Sequence, residues 1–158
     1  IIATEPSLFI QLAKVNVLCN GGATGTAAAT VSGGTAPYTY LWDTPGAPTT
    51  ASASNIPAGA YTLIVTDASS KTRTIGFTIT EPTAIVAVTS KQDEQTSGGN
   101  DGYINTAVSG GVAPYTYLWS NAATTKDINN LAPGNYTLAV TDANGCVLNV
   151  PTITINAF

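Results

Sequence analysis

GGTAPYTYLW, residues 33–42, returns as GGVAPYTYLW at residues 110–119, so one decapeptide recurs 77 positions later with a single substitution. A second block, Asn55–Ala68, returns with substitutions as Asn130–Ala143. A period in the seventies is too long for one turn of a solenoid and fits a small, self-contained domain repeated in tandem. The chain is therefore predicted to contain two copies of one domain.

A third match marks the boundary between the copies. Thr4-Glu5-Pro6 returns as Thr80-Glu81-Pro82, so we predict domains at residues 1–80 and 81–158. Proline fixes its own φ and biases the preceding residue toward extended geometry, so we expect a short, stiff junction and a semi-rigid rod of domains. The sequence opens without Met, and we expect it to be a segment of a longer array.

Alternating side chains dominate both copies. Tyr61, Leu63 and Val65 share one face of residues 60–66, and the second copy repeats this alternation. Such alternation predicts half-buried β-strands. Turn residues recur about every eight to twelve positions, which is typical of a β-sandwich. We predict an all-β fold with about seven strands in each copy.

Two features narrow this sandwich to an immunoglobulin-like one. Each copy has one tryptophan, Trp42 or Trp119, on the expected third strand, where such sandwiches bury a Trp. The turn before Tyr136 resembles the tyrosine corner, in which a Tyr hydroxyl bonds back to the backbone, and Tyr61 holds the matching position. The prediction is two tandem immunoglobulin-like β-sandwich domains, with these four side chains in their structural cores.

The aromatic residues of the decapeptides allow two interpretations. Tyr38, Tyr40 and Trp42 alternate along the chain, and a row of aromatic rings can stack on sugars. We favour the domain core, because the same parity carries the Trp that fills the sandwich. Leu41 and Leu118 then point outward and are candidate lateral contacts.

Composition limits the possible functions. Five basic residues, scattered among nine acidic ones, cannot form the cationic stripe that nucleic acids require. No apolar run approaches the roughly 20 residues of a membrane span. Without His, Ser and Cys lack their usual base. Asp67 and Asp142 begin matching turns and are predicted to bond the backbone, rather than to form the carboxylate pair of a glycosidase. We predict no enzyme activity and no cofactor.

Residues 98–102, which follow Asp93 and Glu94, form the one candidate metal loop. Clustered oxygens suit calcium, but the Asp-x-Asp-x-Asp spacing of a dedicated site is missing. A plain turn is the favoured interpretation, and we predict no metal.

The string Val-Ser-Gly-Gly-x-Ala-Pro-Tyr-Thr-Tyr-Leu-Trp, followed by Pro-Gly-x-Tyr-Thr-Leu-x-Val-Thr-Asp-Ala-Asn-Gly-Cys, resembles SprB repeats. These occur in very large surface adhesins of gliding Bacteroidota, exported by the type IX secretion system. The resemblance implies a mobile or filamentous adhesin that attaches cells to surfaces and polysaccharide, without catalytic residues. The Pro-Tyr-Thr-Tyr-x-Trp element is also similar to the PKD-type immunoglobulin-like domain.

The resemblance further implies two cysteines in each copy, whereas the first copy has only Cys19 and the second only Cys146. Lys71 and Thr96 occupy the other two positions. In an immunoglobulin-like sandwich, Cys19 follows the first strand, at the pole where its domain ends. Cys146 follows the F–G turn, at the pole where its domain begins. We hypothesise a disulfide between the repeats, suited to an oxidising extracellular setting; two unpaired thiols are the alternative.

Together with these features, the resemblance implies a non-enzymatic, extracellular stalk of a cell-surface adhesin or filament that mediates surface attachment and gliding motility. Its expected partners are neighbouring repeats of the same chain, and surface polysaccharide or parallel copies of the array. The alternative is a carbohydrate-binding or PKD-type accessory module of a secreted hydrolase.

Overall fold

A computed structural model describes residues 6–158 of the chain. They belong to two compact units, unit 1 (Ile1–Glu81) and unit 2 (Pro82–Phe158), which are described separately. Thr4 and Glu5, which begin the first Thr-Glu-Pro match, lie outside the described residues. The regular secondary structure in residues 6–158 consists of β-strands. No helix in this part of the chain is long and apolar enough to cross a membrane.

The described part of unit 1 folds into six strands. They are β1 (Phe9–Val15), β2 (Gly25–Ser32), β3 (Thr39–Trp42), β4 (Ser52–Ile56), β5 (Gly59–Thr66) and β6 (Thr72–Ile79). One sheet has the order β1-β2-β4 and the other the order β3-β5-β6. All neighbouring strands are antiparallel.

Unit 2 repeats this plan with six strands of its own. They are β7 (Val86–Gln92), β8 (Gly102–Ser109), β9 (Thr116–Trp119), β10 (Ile128–Leu131), β11 (Gly134–Thr141) and β12 (Val147–Ile155). Its sheets have the orders β7-β8-β10 and β9-β11-β12, again with antiparallel neighbours.

The strand orders confirm the predicted all-β, immunoglobulin-like fold. In each unit, one sheet corresponds to strands A, B and E of the constant-type immunoglobulin sandwich, and the other to strands C, F and G. The expectation of about seven strands is wrong, because among the described residues strand D is not formed. The chain turns back after the third strand instead: the Ala47 amide bonds the Thr44 carbonyl, and the Ala122 amide bonds the Trp119 carbonyl.

Each unit has its own hydrophobic core. Trp42 and Trp119 are almost wholly buried, and their indole N–H groups donate to the carbonyls of Thr50 and Thr125, both at 2.9 Å. These bonds satisfy the one polar atom of each ring, which allows the ring to fill the core at little cost. In unit 1, Phe77 packs edge-on against Trp42, with 5.8 Å between ring centroids.

The tyrosine corners have the geometry that defines them. Tyr61 is half-buried, and its hydroxyl donates to the Pro57 carbonyl at 3.1 Å. The hydroxyl of Tyr136, also half-buried, donates to the Ala132 carbonyl at 2.9 Å. Each bond spans the turn that leads into β5 or β11 and therefore fixes the point where the chain changes sheets.

Candidate functional site

The turns that begin at Asp67 and Asp142 are each built around one carboxylate. The Asp142 carboxylate accepts the backbone N–H groups of Val112, Asn144 and Cys146 at 2.9–3.0 Å. Asp67 accepts the corresponding three amides of its own unit at the same distances. Burial raises the pKa of both carboxyls, but the backbone hydrogen bonds outweigh it, so each pKa lies below its ordinary value. These carboxylates therefore hold backbone, as the spacing predicts.

In unit 2, this turn lies at the pole where the unit begins. The Gly111 amide donates to the Thr83 carbonyl, and the Ala143 amide donates to the Val112 carbonyl, both at 2.8 Å. These bonds bring the turn against the first residues of the unit. Cys146, whose amide bonds Asp142, is consequently part of the N-terminal pole of unit 2.

In unit 1, the loop after β1 lies at the pole where the unit ends. The Gly21 amide donates to a Glu81 carboxylate oxygen at 2.6 Å, and the Asn20 side chain donates to the other at 3.1 Å. The Val17 amide donates to the Thr80 carbonyl at 3.0 Å. Cys19 is therefore part of the C-terminal pole of unit 1. The described residues contain no free cysteine thiol.

Leu41 and Leu118 project from the outer faces of their sheets. More than half of each side chain is exposed. Leu41 pairs with Ile64 across the β3-β5 ladder, and Leu118 pairs with Ala139 across the β9-β11 ladder. Both leucines therefore lie on the side of a sandwich, where a lateral contact is sterically open.

The carboxylates of the candidate calcium loop are occupied by hydrogen bonds. Asp101 accepts the Gln95 amide at 2.8 Å, and the buried Glu94 accepts the Asn100 amide at 3.1 Å. Hydrogen bonds from Lys91 and then from the Asn156 backbone and side chain lower the pKa of Asp93 to about 2. Within residues 6–158, no group of three or more His, Cys, Asp or Glu is placed to hold a metal ion.

A groove on the outer face of the β7-β8-β10 sheet escaped the sequence analysis. It consists of two adjoining depressions of about 290 and 390 Å³, which share Asn105 and Asp127. Tyr103 and Asn129 line the first depression, and Val88 lines the second. The available signal was the difference between the copies, because Tyr103 follows the glycine that opens β8 whereas a threonine follows the glycine that opens β2.

Comparison with known families identifies a repeat in both units. The model of the SprB repeat matches residues 12–47 and 97–124, one stretch in each unit and together less than half of the chain. Comparison with curated proteins gives no match.

Solved structures similar to the chain include two proteins with immunoglobulin domains and one biofilm protein. The N-terminal eight immunoglobulin domains of Down Syndrome Cell Adhesion Molecule are 14% identical over 96% of this chain and 25% of that one, with a TM-score of 0.46. An amphioxus IgVJ-C2 molecule is 12% identical over 92% of this chain and 96% of its own, with a TM-score of 0.37. The BSP domain of a biofilm associated protein is 14% identical over 94% of this chain and 30% of its own, with a TM-score of 0.30.

The chain thus spans only about a quarter of the first of these structures. The family match confirms the resemblance expected from the decapeptides and the turns that follow them. Each of the two immunoglobulin-like units carries a segment that matches the SprB repeat family.

Proposed function

We propose that the chain is part of a non-enzymatic, extracellular stalk of a cell-surface adhesin or filament, and that this stalk serves surface attachment and gliding motility. The observation that carries the proposal is the SprB repeat match in both of two similarly built sandwiches. A repeated small domain lengthens a protein without adding a new fold, because each unit contains its own hydrophobic core. Length and resistance to shear are what a stalk requires.

We also propose that Cys19 and Cys146 form a disulfide that joins the two repeats. Two observations, each made within a single unit, support it. Cys19 lies in the loop held by Glu81, which is the last residue of unit 1. Cys146 lies in the turn whose Ala143 amide bonds the Val112 carbonyl, and the neighbouring Gly111 amide bonds the carbonyl of Thr83, the second residue of unit 2. Because Glu81 is bonded directly to Pro82, both cysteines belong to the poles that flank the junction.

Such a bridge would add a second covalent link beside the short backbone junction. In the chain-entropy model, a loop that runs from residue 19 to residue 146 stabilises the protein by about 4–5 kcal/mol if the bridge is unstrained. The bridge is tested by intact mass after alkylation, with and without prior reduction. We expect no alkylated cysteine in the unreduced protein and two alkylated cysteines in the reduced protein. Two alkylated cysteines in the unreduced protein would show that the disulfide does not form.

The surface role is tested on the cells that make the protein. Antibody fragments raised against the 158-residue chain are expected to label intact, unpermeabilised cells and to slow both their attachment to glass and their gliding. Fragments against an unrelated cytoplasmic protein of the same cells are the control. Labelling that appears only after permeabilisation would contradict the extracellular location. Normal attachment and gliding of heavily labelled cells would contradict the adhesive role.

A further inference from the structure

We propose that Asn20 is a self-modification site, at which the chain loses ammonia and forms a succinimide ring with Gly21 under the control of Glu81. Water then opens this ring to aspartate or isoaspartate. The only reactants are therefore the chain itself and water. The inference goes beyond the proposed function, and it rests on three residues of unit 1.

The dipeptide Asn20-Gly21 has the chemistry that this reaction requires. The side-chain amide of Asn is among the least durable groups in proteins. The backbone nitrogen of the following residue is the nucleophile, and glycine, which has no Cβ, hinders its approach least. Asn20 and Gly21 are both exposed, and a Cβ built on Gly21 would meet no atom of the described residues within 4 Å. The ring therefore has room to form, and water can reach it.

One carboxylate holds both of the reacting nitrogens. The amide of Gly21, which is the nucleophile, donates to Glu81 Oε2 at 2.6 Å. The side-chain amide of Asn20, which is the leaving group, donates to Glu81 Oε1 at 3.1 Å. The nucleophile and the leaving group thus meet at the two oxygens of one group. Positioning of this kind supplies much of the rate enhancement in intramolecular reactions.

Glu81 can balance the protons of the first step. Its carboxylate accepts the proton of the Gly21 amide as the Gly21 nitrogen forms a bond to Asn20 Cγ. The carboxyl group then gives this proton to Asn20 Nδ2, the Cγ–Nδ2 bond breaks, and ammonia leaves. Glu81 therefore acts first as a general base and then as a general acid. In the second step, water adds to either carbonyl of the ring and breaks its C–N bond.

A second Asn-Gly dipeptide, Asn144-Gly145, provides an internal comparison. Both of its residues are exposed, and the φ of Gly145 is 81°, close to the 72° of Gly21. The Gly145 amide, however, donates to the backbone carbonyl of Asp142 at 3.1 Å. A peptide carbonyl is a far weaker base than a carboxylate. The second dipeptide therefore has a similar backbone without the proton acceptor that Gly21 has.

The turn itself does not require an asparagine. Residues 96–99 of unit 2 form the same kind of turn as residues 19–22 of unit 1, and in both turns the fourth amide donates to the first carbonyl. Ser97, which has no side-chain amide to lose, takes the place of Asn20 there. The amide of Asn20 is thus not a condition of the fold.

The product of the reaction alters the end of unit 1. A carboxylate at position 20 cannot donate to Glu81, and two carboxylates this close repel each other. Isoaspartate also adds one carbon to the backbone, which displaces the Gly21 amide from its acceptor. Because Glu81 is the last residue of unit 1, the hold of this loop on the end of the unit weakens irreversibly as the protein ages.

Ageing of the 158-residue chain, followed by peptide mass mapping, tests the proposal. The chain is kept at neutral pH and physiological temperature, and samples are reduced, alkylated and digested with trypsin. Cleavage after Lys and Arg places the two dipeptides on separate peptides, residues 15–71 and 127–158. We expect Asn20 to convert about tenfold faster than Asn144 in the folded chain. In urea, where the fold is lost, the two sites should convert at similar rates.

Glu81→Gln is the decisive variant, because glutamine keeps the size of glutamate and can still form hydrogen bonds but does not take up the proton. It should slow the conversion of Asn20 about tenfold and leave that of Asn144 unchanged.

The proposal is overturned if Asn20 converts no faster than Asn144 in the folded chain. It is also overturned if Asn20 converts as fast or faster in Glu81→Gln, because the carboxylate would then protect the amide or have no effect on it. If the variant does not fold, as judged by circular dichroism, the two sites of the unaltered chain with and without urea decide. None of these outcomes affects the surface labelling or the cysteine alkylation that test the proposed function.

Discussion

A disulfide between Cys19 and Cys146 makes a quantitative prediction about the chain under force. When the two termini are pulled apart, the load passes through the bridge, so the residues between the cysteines cannot extend even after both sandwiches unfold. This loop runs over 127 positions, from residue 19 to residue 146. A fully extended chain spans about 3.3–3.6 Å per residue, so opening the bridge should release about 42–46 nm of hidden contour length.

Single-molecule force spectroscopy measures this length directly. The chain is placed between marker domains of known unfolding length and stretched with and without a thiol reductant. In the unreduced protein, only the roughly 30 residues outside the loop extend, which corresponds to about 10–11 nm. With reductant, the total should rise by the length of the loop. The double variant Cys19→Ser, Cys146→Ser should behave like the reduced protein under both conditions.

The result that would refute this reasoning is a full-length extension of the unreduced protein. In that case the two thiols do not carry the load, and the repeats are linked only through the short backbone junction. An equally damaging result would be an increase on reduction that also occurs in the double variant, because that variant has no disulfide to open.

Three further predictions concern the stability of unit 2. Because Asp142 has a lowered pKa only in the folded state, its contribution is complete above the ordinary Asp value near pH 4 and is lost as the pH falls toward the folded value. Melting temperatures should therefore fall as the pH is lowered below about 4, and less steeply in Asp142→Asn. Tyr136→Phe removes the bond across the tyrosine corner and should lower the free energy of unfolding by about 1 kcal/mol in urea titrations; an unchanged midpoint would contradict that role. Gly110→Ala places a Cβ 1.9 Å from a backbone oxygen and should cost about 3 kcal/mol or more. Gly145→Ala, with a similar positive φ but open space, should cost about 1 kcal/mol.

The fold was predictable because each of its signals is local. Leu63 and Val65 share one face of a stretch that Thr62 and Thr66 flank, and both are wholly buried in the structure. The number of strands was not predictable to the same degree. Whether the chain after Trp42 extends as a fourth strand depends on a few turn hydrogen bonds, which composition does not reveal.

The bulges of β4 and β10 show the same limit. Asn55 and Asn130 adopt φ values of 56° and 55°, close to the register shifts in both ladders. Asn tolerates this conformation better than most residues. Its presence at both positions indicates where a bulge is possible, but only the pairing of the neighbouring strand determines that one forms.

The groove was hidden from sequence reasoning for a different physical reason. At its edge the Thr106 amide donates to the Asp127 side chain, whereas the matching Ala29 amide of unit 1 donates to the Ala51 backbone carbonyl. Either acceptor is compatible with the same alternating pattern. Asp127 in isolation is an ordinary polar residue before a strand. It becomes informative only when Ser52 is seen at the same place in the other copy, with the ladder intact beside it.

The two copies have the same hydrogen-bond geometry in the turns that their buried aspartates organise. The turns at Asp67 and Asp142 hold three amides each at nearly the same distances, although the residues around them differ. A change there would leave partly buried amides unsatisfied and destabilise the unit. Outward positions on the sheets are free of this constraint, since substitutions at exposed sites usually alter stability little. A tandem array can therefore keep one fold and one type of turn while individual repeats acquire different outer faces, and Tyr103 in unit 2 marks such a face.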